Sequence, residues 1–120
     1  MTTIAAVAVG LVAALHLYFL VVEMFLWKKP FGRRTFGLTR EMAEATASLA
    51  ANQGLYNGFL AAGLIWGLSL GAAGLSIKVF FLVCVVIAGI FGAATANRKI
   101  LWVQALPGVL ALALTVLARG

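Results

Sequence analysis

The sequence predicts an all-α membrane protein: a bundle of four transmembrane helices, running antiparallel up and down, with both termini outside. The composition is 64% hydrophobic and only 10% charged, whereas soluble domains average about 45–50% apolar and about 25% charged residues. Four apolar stretches approach the roughly 20 residues that a helix needs to cross the hydrocarbon core. Runs such as VFFLVCVVIAGIFGAA lack the period-two alternation of a transmembrane β-barrel.

A single transmembrane domain over residues 1–120 is expected, because this length accommodates one domain. The predicted spans are about 4–27, 46–70, 76–96 and 100–118. The first stretch begins MTTIAAVAVG, without a basic side chain. Removable signal peptides carry a basic segment before the apolar run, so we expect the first stretch to remain as a span.

The first connection, KKPFGRRTFGLTRE, contains residues that oppose helix formation. Pro30, Gly32 and Gly37 are expected to break the helix there. Thr39 is a suitable N-cap residue, because its hydroxyl can accept a hydrogen bond from a backbone N–H in the first turn. The second helix is therefore predicted to begin near Arg40, before it enters the membrane.

Basic residues concentrate on one side of the predicted bundle. Seven of the nine lie in the first and third connections: Lys28, Lys29, Arg33, Arg34, Arg40, Arg98 and Lys99. The other two, Lys78 and Arg119, fall on the opposite side. Positive loops stay in the cytoplasm. We therefore expect a multi-pass protein of a bacterial-type inner membrane, with loops 28–40 and 97–99 cytoplasmic.

The first helix carries two ionisable side chains on one stripe. Seven residues separate His16 from Glu23, so both point to nearly one side and lie about 10 Å apart along the axis. The stripe reads Val9, Val12, His16, Leu20, Glu23 and Trp27. A carboxylate inside a span is a functional-site hypothesis by default. The alternatives are that Glu23 pairs with a basic loop residue near Lys28, and that His16 bonds a neighbouring helix.

The stretch ANQGLYNGFL, residues 51–60, places polar side chains in the middle of the second span. They are Asn52, Gln53, Tyr56 and Asn57. Their spacing predicts one continuous polar face, with Gly54 and Gly58 almost opposite as a close-packing GxxxG surface. The amides either line a ligand site or join helices, and each interhelical bond contributes about 0.6–2 kcal/mol.

The predicted topology brings the polar residues of all four helices to the cytoplasmic half, below an outer half of Ala, Leu, Ile, Val and Gly. A polar intramembrane pocket is expected there. Its candidate ligand-binding residues are His16, Glu23, Asn52, Gln53, Tyr56, Asn57 and Gln104. Glu23 and His16 are also the candidates for catalysis. The lone Cys84 and single histidine predict no metal site, and missing phosphate-binding and nucleotide motifs predict no cofactor.

Three strings carry a resemblance that spans almost the whole chain: HLYFLVVEMFLW (16–27), FGLTREMAEATASLAANQGLYNGFLAAGLIWG (36–67) and TANRKILWVQALPG (95–108). They resemble a family of small integral membrane proteins, domain of unknown function 1304. The resemblance implies four helices without an established activity. Six of the candidate residues fall inside these strings: His16, Glu23, Asn52, Gln53, Tyr56 and Asn57.

A looser likeness links the chain to the membrane-associated eicosanoid and glutathione metabolism superfamily. Those proteins carry Arg-Ala-x-x-Asn-x-x-Glu in their second helix. Asn52 can take the position of the Asn, whereas Ser48 replaces the Arg and Leu55 replaces the Glu. The likeness implies a shared architecture, with a trimer as one assembly it allows, and the missing charges argue against glutathione chemistry.

Three functions remain open from the sequence. The first is binding or transport of a small amphiphilic or lipid-like molecule, with Glu23 as counter-ion or proton carrier. The second is a membrane enzyme (isomerase, epoxide-opening or transferase-like) acting on a lipophilic substrate, with Glu23 and His16 as acid and base. The third is an accessory or structural subunit. The expected partners are the lipid bilayer, the ligand and further copies in a homo-oligomer, dimer or trimer. No nucleic acid is expected, because the basic residues lie between apolar runs.

Overall fold

The structure is a computed structural model that describes residues 2–119, and this part of the chain is helical without any strand. The α-helices are α1 (Thr2–Val21), α2 (Pro30–Phe36), α3 (Arg40–Ser69), α4 (Leu75–Thr95) and α5 (Leu106–Ala118). Two π-helical stretches, Val22–Leu26 and Leu101–Ala105, are called the first and second π segments, and Gly71–Gly74 forms a 3₁₀ turn. The all-α prediction is confirmed.

Three helical stretches are long and apolar enough to cross a membrane. They are Thr2–Leu26, Gly71–Thr95 and Leu101–Ala118, and they correspond to the first, third and fourth predicted spans. The predicted span 46–70 lies almost wholly within α3, a helix of 30 residues. That helix is long enough to span a bilayer at 1.5 Å per residue, but the amides of residues 51–60 make it less apolar than the other three.

The first connection forms a short helix, so the expectation that Pro30 and Gly32 break the helix is wrong, whereas Gly37 does end it. Pro30 occupies the first turn of α2, where its missing N–H is tolerated. Gly32 does not break the helix but lies buried inside it. A side chain at Gly32 would collide with the Leu26 backbone and would meet the Trp27 Cα at 3.0 Å. Glycine is required there because two backbones approach closely.

The end of α2 follows the Schellman pattern, in which a left-handed residue closes the last turn. Gly37 has φ 63° and ψ 40°. Its N–H donates to the Arg34 carbonyl oxygen over 3.4 Å, and the Leu38 N–H donates to the Arg33 carbonyl oxygen over 2.8 Å. These bonds satisfy two carbonyl groups at the helix end and turn Leu38 back over the last turn of α2.

The predicted N-cap of α3 is confirmed. Thr39 Oγ1 accepts a hydrogen bond from the Met42 backbone N–H over 3.1 Å, and α3 begins at Arg40. The Ala43 N–H donates to the Thr39 carbonyl oxygen over 3.0 Å, which starts the regular helical ladder. Since Leu38 and Thr39 alone separate the cap of α2 from α3, the direction of α3 relative to α2 is set locally.

The described chain divides into two compact units. The terminal unit comprises residues 2–14 and 60–119, and the central unit comprises residues 15–59. The terminal unit contains an apolar core built from α1, α3, α4 and α5 side chains. Its buried members are Val9, Val12, Ala13, Leu64, Leu82, Val85 and Ala111.

Small residues allow α4 to pack tightly against the last helical stretch of the terminal unit. A Cβ at Gly89 would lie 2.6 Å from the Ala105 backbone nitrogen, and one at Gly108 would lie 2.9 Å from a Val85 methyl group. Residue numbers therefore rise along α4 while they fall along its neighbour, so the two run antiparallel. Close backbone approach of this kind is a main source of helix association in membranes.

The same glycine-to-alanine change is expected to act with opposite sign at two helical positions. Gly89→Ala should lower the free energy of unfolding by about 1–3 kcal/mol. The added methyl group would meet the Ala105 backbone, which cannot move aside as a flexible side chain can. Gly10 has no atom within 4 Å of an added Cβ, so Gly10→Ala should raise it by up to about 1 kcal/mol through helix propensity. Unfolding of each variant in mixed micelles by SDS titration, followed by circular dichroism, measures both. Equal midpoints for Gly89→Ala and wild type would contradict the close packing.

Candidate functional site

The predicted stripe of α1 is its inward face. Val9, Val12 and His16 are buried, and Leu20, Glu23 and Trp27 are partly buried. The sequence did not predict that Glu23 would lie in the first π segment. A π turn holds one residue more than an α turn, so it changes the direction of the side chains that follow. Such segments occur often at functional sites.

In the central unit, α3 approaches the end of α1 through two glycines. A Cβ at Gly54 would lie 2.7 Å from Met24 Cγ and 3.1 Å from Glu23 Cβ. A Cβ at Gly58 would lie 2.7 Å from Leu20 Cδ1. A larger residue at Gly54 would also crowd the Leu20 carbonyl oxygen at 3.3 Å, whereas at Gly58 only the end of the Leu20 side chain would have to move. Gly54 therefore contributes most to how close α3 comes to Glu23.

Asn57 binds Glu23 across this contact. The Asn57 side-chain amide donates to Glu23 Oε1 over 2.5 Å, and Asn57 is only 5% exposed. A hydrogen bond to a carboxylate is stronger than one between neutral groups. The carboxylate can accept further bonds at its oxygens, so Asn57 orients Glu23 without using its full binding capacity.

The helical spacing keeps the four polar residues of α3 on one arc, but the structure divides that arc into a buried and an exposed part. Asn57 points inward, whereas Asn52 and Gln53 are exposed and Tyr56 is 50% exposed. At about 100° per residue, Asn57 lies only about 60° from Gly54, while Asn52 lies about 160° away. Asn57 is therefore at the edge of the polar arc, and the approach of α1 to the glycines takes it inside.

A cleft of about 380 Å³ opens beside Glu23 in the central unit. Its lining consists of Glu23, Met24, Phe25, Trp27, Lys28, Lys29 and Ala47. Glu23 is partly buried, while Lys28 and Lys29 are exposed. The cleft thus combines a carboxylate, two ammonium groups and apolar walls. Glu23 shares this space with the lysines that the sequence offered as alternative partners, and its hydrogen bond goes to Asn57.

Trp27 fixes one wall of the cleft through contacts in two directions. Its Nε1 donates to Thr46 Oγ1 over 3.0 Å, and the Thr46 hydroxyl donates to the Met42 carbonyl oxygen over 2.8 Å. The Trp27 ring also lies 4.9 Å from the Phe36 ring of α2, centroid to centroid. Sequence reasoning missed Thr46, because a threonine in a helix gives no signal of a distant indole partner.

The other predicted site residues lie elsewhere. His16 is fully buried, and its ring meets the edge of Phe19 at a centroid distance of 5.4 Å. Gln104 belongs to the terminal unit, where it is partly buried in the second π segment. Within residues 2–119, no group of three or more His, Cys, Asp or Glu side chains is placed to hold a metal ion. The structure therefore brings Glu23 and Asn57 together directly.

Comparison with known proteins identifies the family. The model of a family described as "Protein of unknown function (DUF1304)" matches residues 10–116. The chain belongs to this family. This DUF1304 protein is 30% identical over 113 residues to the uncharacterized protein YpaA of Lactococcus lactis subsp. lactis (strain IL1403), an alignment covering 92% of this chain and 95% of YpaA. No solved structure matches the DUF1304 protein. The resemblance noted in the sequence is thus confirmed, and the looser superfamily likeness stays a prediction.

A double-mutant cycle should detect the Glu23–Asn57 bond in this DUF1304 protein. We expect the unfolding free energies of Glu23→Leu, Asn57→Leu and the double variant to give a coupling of about 0.6–1.7 kcal/mol, the range for interhelical bonds in membranes. Unfolding by SDS titration in mixed micelles supplies the three values.

The matched control for this cycle pairs Glu23→Leu with Asn52→Leu. It removes the same chemical groups, but Asn52 is exposed, so its coupling should be close to zero. Additive effects in both cycles would show that Asn57 does not bind Glu23.

Proposed function

We propose that the protein binds a small amphiphilic molecule from the cytoplasmic leaflet in the Glu23 cleft, and carries it as a transporter or carrier would. The supporting observation is the cleft itself, which places Glu23, held by Asn57, beside Lys28 and Lys29. A volume of about 380 Å³ falls within the usual range of small-molecule sites. Aromatic walls with a few polar groups are also typical of such sites.

The chemistry of the lining indicates the ligand class. A carboxylate accepts hydrogen bonds or pairs with a cation, so Glu23 favours a ligand with an N–H or O–H donor. Lys28 and Lys29 favour an anionic group such as phosphate or carboxylate. Phe25 and Trp27 offer apolar contact for a hydrocarbon chain. An amphiphile with a donor group next to an anionic group satisfies all three.

The proposal includes four antiparallel spans with both termini outside and loops 28–40 and 97–99 in the cytoplasm. The distribution of basic residues supports this orientation through the positive-inside rule. The central unit supports α3 as the additional span, because Gly54 and Asn57 lie beside the end of the apolar stretch Thr2–Leu26. The middle of α3 therefore lies at the same level as the end of a stretch that is apolar enough to cross the membrane.

Native mass spectrometry of the gently extracted protein tests ligand binding. We expect wild type to carry a discrete added mass. In Glu23→Gln the occupancy of this ligand should fall about tenfold or more, because a hydrogen bond to a charged group contributes about 1.5–3 kcal/mol. Lys28→Gln with Lys29→Gln should weaken binding as well. Glu44→Gln is the matched control, since Glu44 is exposed on α3 outside the cleft.

Two outcomes would count against this function. An added mass of equal occupancy in Glu23→Gln and wild type would place the ligand outside the cleft. For proton-coupled transport, Glu23 is the expected proton carrier, so pH-dependent transport that persists in Glu23→Gln would remove it from that role.

We also propose that the protein forms a homo-oligomer, in which another copy of the chain covers the exposed polar face of α3. Asn52, Gln53 and Tyr56 are exposed in the single chain. In hydrocarbon, an unsatisfied amide costs several kcal/mol. Asparagine and glutamine both donate and accept hydrogen bonds, so two identical faces complement each other. A homo-oligomer, dimer or trimer, would satisfy these groups.

Chemical cross-linking in membranes tests this assembly. In a Cys84→Ala background, Ser48→Cys places a thiol one turn from Asn52 on the same exposed face. We expect a short bismaleimide to give cross-linked oligomers from Ser48→Cys and several-fold less from Ile87→Cys, whose position is 62% exposed on α4. Adding Asn52→Leu and Gln53→Leu should reduce the cross-linked fraction. Equal cross-linking at both positions would indicate random collision rather than a specific interface.

A further inference from the structure

A second concave surface lies on the short helix of the first connection. The groove has a volume of about 430 Å³ and is lined by Pro30, Arg33, Arg34, Gly37 and Leu38. None of these lining residues is shared with the Glu23 cleft. The groove is therefore a separate feature of the central unit, and the amphiphile site does not account for it.

The backbone of α2 builds this groove. The Schellman bonds at Gly37 return Leu38 over the last turn of α2. Leu38 and Pro30 line the groove together with Arg33 and Arg34. Both arginines belong to α2, so the two guanidinium groups extend from a helix rather than from an irregular loop.

One of these arginines has an unused donor. Arg33 Nε is buried and has no hydrogen-bond partner among residues 2–119. Leaving a buried donor unsatisfied costs about 1–3 kcal/mol, and more for a charged group. No carboxylate is found in the groove lining or in the stretch KKPFGRRTFGLT. The arginines of the groove thus have no acidic partner in its lining, and arginine pairs particularly well with the oxygens of a phosphate.

The position of α2 indicates where that phosphate would come from. The helix begins four residues after the apolar stretch Thr2–Leu26 ends. Phe31 and Phe36 are 44% and 42% exposed on it, so apolar rings and arginines share one short surface helix. Amphipathic helices with basic and aromatic residues lie in the headgroup region of a bilayer. Lipid phosphates occupy that level, and anionic lipids attract basic residues there.

We propose that the Arg33–Arg34 groove binds the phosphate of an anionic phospholipid. The bound lipid would hold α2 in the headgroup layer. Gly32 packs α2 onto the end of the first π segment, and Phe36 contacts Trp27. The lipid would therefore also steady the wall of the Glu23 cleft through contacts that already exist within the central unit.

Quenching of Trp27 fluorescence by brominated phospholipids tests the proposal. The reporter background is Trp66→Phe with Trp102→Phe, which leaves Trp27 as the single tryptophan next to α2. The protein is reconstituted into vesicles of phosphatidylcholine that contain a brominated fraction of either phosphatidylglycerol or phosphatidylcholine. We expect brominated phosphatidylglycerol to bind near Trp27 at least about threefold more strongly than brominated phosphatidylcholine. Equal quenching by the two lipids would overturn the proposal.

Matched variants separate a built site from general attraction. Arg33→Gln with Arg34→Gln should bring the ratio of the two lipids to about one. Arg98→Gln with Lys99→Gln removes the same charge from the other basic connection and should leave the ratio unchanged. If this control pair lowers the ratio equally, diffuse charge rather than the groove attracts the lipid. Quenching by brominated phosphatidylcholine reports whether Trp27 keeps its position in each variant.

Two further arms define the chemistry. Arg33→Lys with Arg34→Lys keeps the charge but removes the forked donors, so the preference should fall to an intermediate value; full retention would show that charge alone suffices and overturn the built site. Added inorganic phosphate at millimolar concentration should leave the lipid preference unchanged at constant ionic strength. Loss of the preference under that condition would show that the groove takes free phosphate instead of a lipid headgroup.

Discussion

The close contact of α3 with the end of α1 is the constraint on which the candidate site depends. Gly54 and Gly58 have no side chains, so Leu20 and Glu23 can approach the α3 backbone. That approach carries Asn57 inward and allows its amide to reach the Glu23 carboxylate. A buried carboxylate without such a partner would be costly. The glycine pair therefore supports the polar pair, and the two features stabilise the same geometry.

The first connection extends this order to α2. A chain with Pro30 and two glycines could have remained irregular, yet it forms a helix whose C-terminal end is closed by local bonds at Gly37 and Leu38. Trp27 contributes at the centre of this region, since its indole N–H bonds Thr46 and its ring contacts Phe36. The cleft wall, α2 and the first turns of α3 are thus coupled through one side chain.

The central unit presents its charges in two separate arrangements, and their different geometry suggests different partners. In the Glu23 cleft, acidic and basic groups share one cavity with aromatic side chains. This combination suits a mobile amphiphile that has polar groups and a hydrocarbon chain. In the groove on α2, arginines stand without an acidic neighbour in the lining, which suits an anion supplied by the bilayer. A protein that handles amphiphiles would benefit from this separation, because lipid held at α2 need not compete for the cleft.

The sequence by itself determined the helical class, the apolar stretches, the Thr39 cap and the inward stripe of α1, because hydrophobic composition, helical period and capping chemistry are local properties. It also pointed to Glu23 and Asn57 as unusual polar residues in apolar surroundings. Only the tertiary structure decided that Asn57 turns inward while Asn52 stays exposed, since helical spacing sets angles between residues but not the side from which a neighbour arrives. The helix around Gly32 likewise depends on packing against the Leu26 and Trp27 backbone, because the spacing of residues along one segment does not reveal a close approach by another.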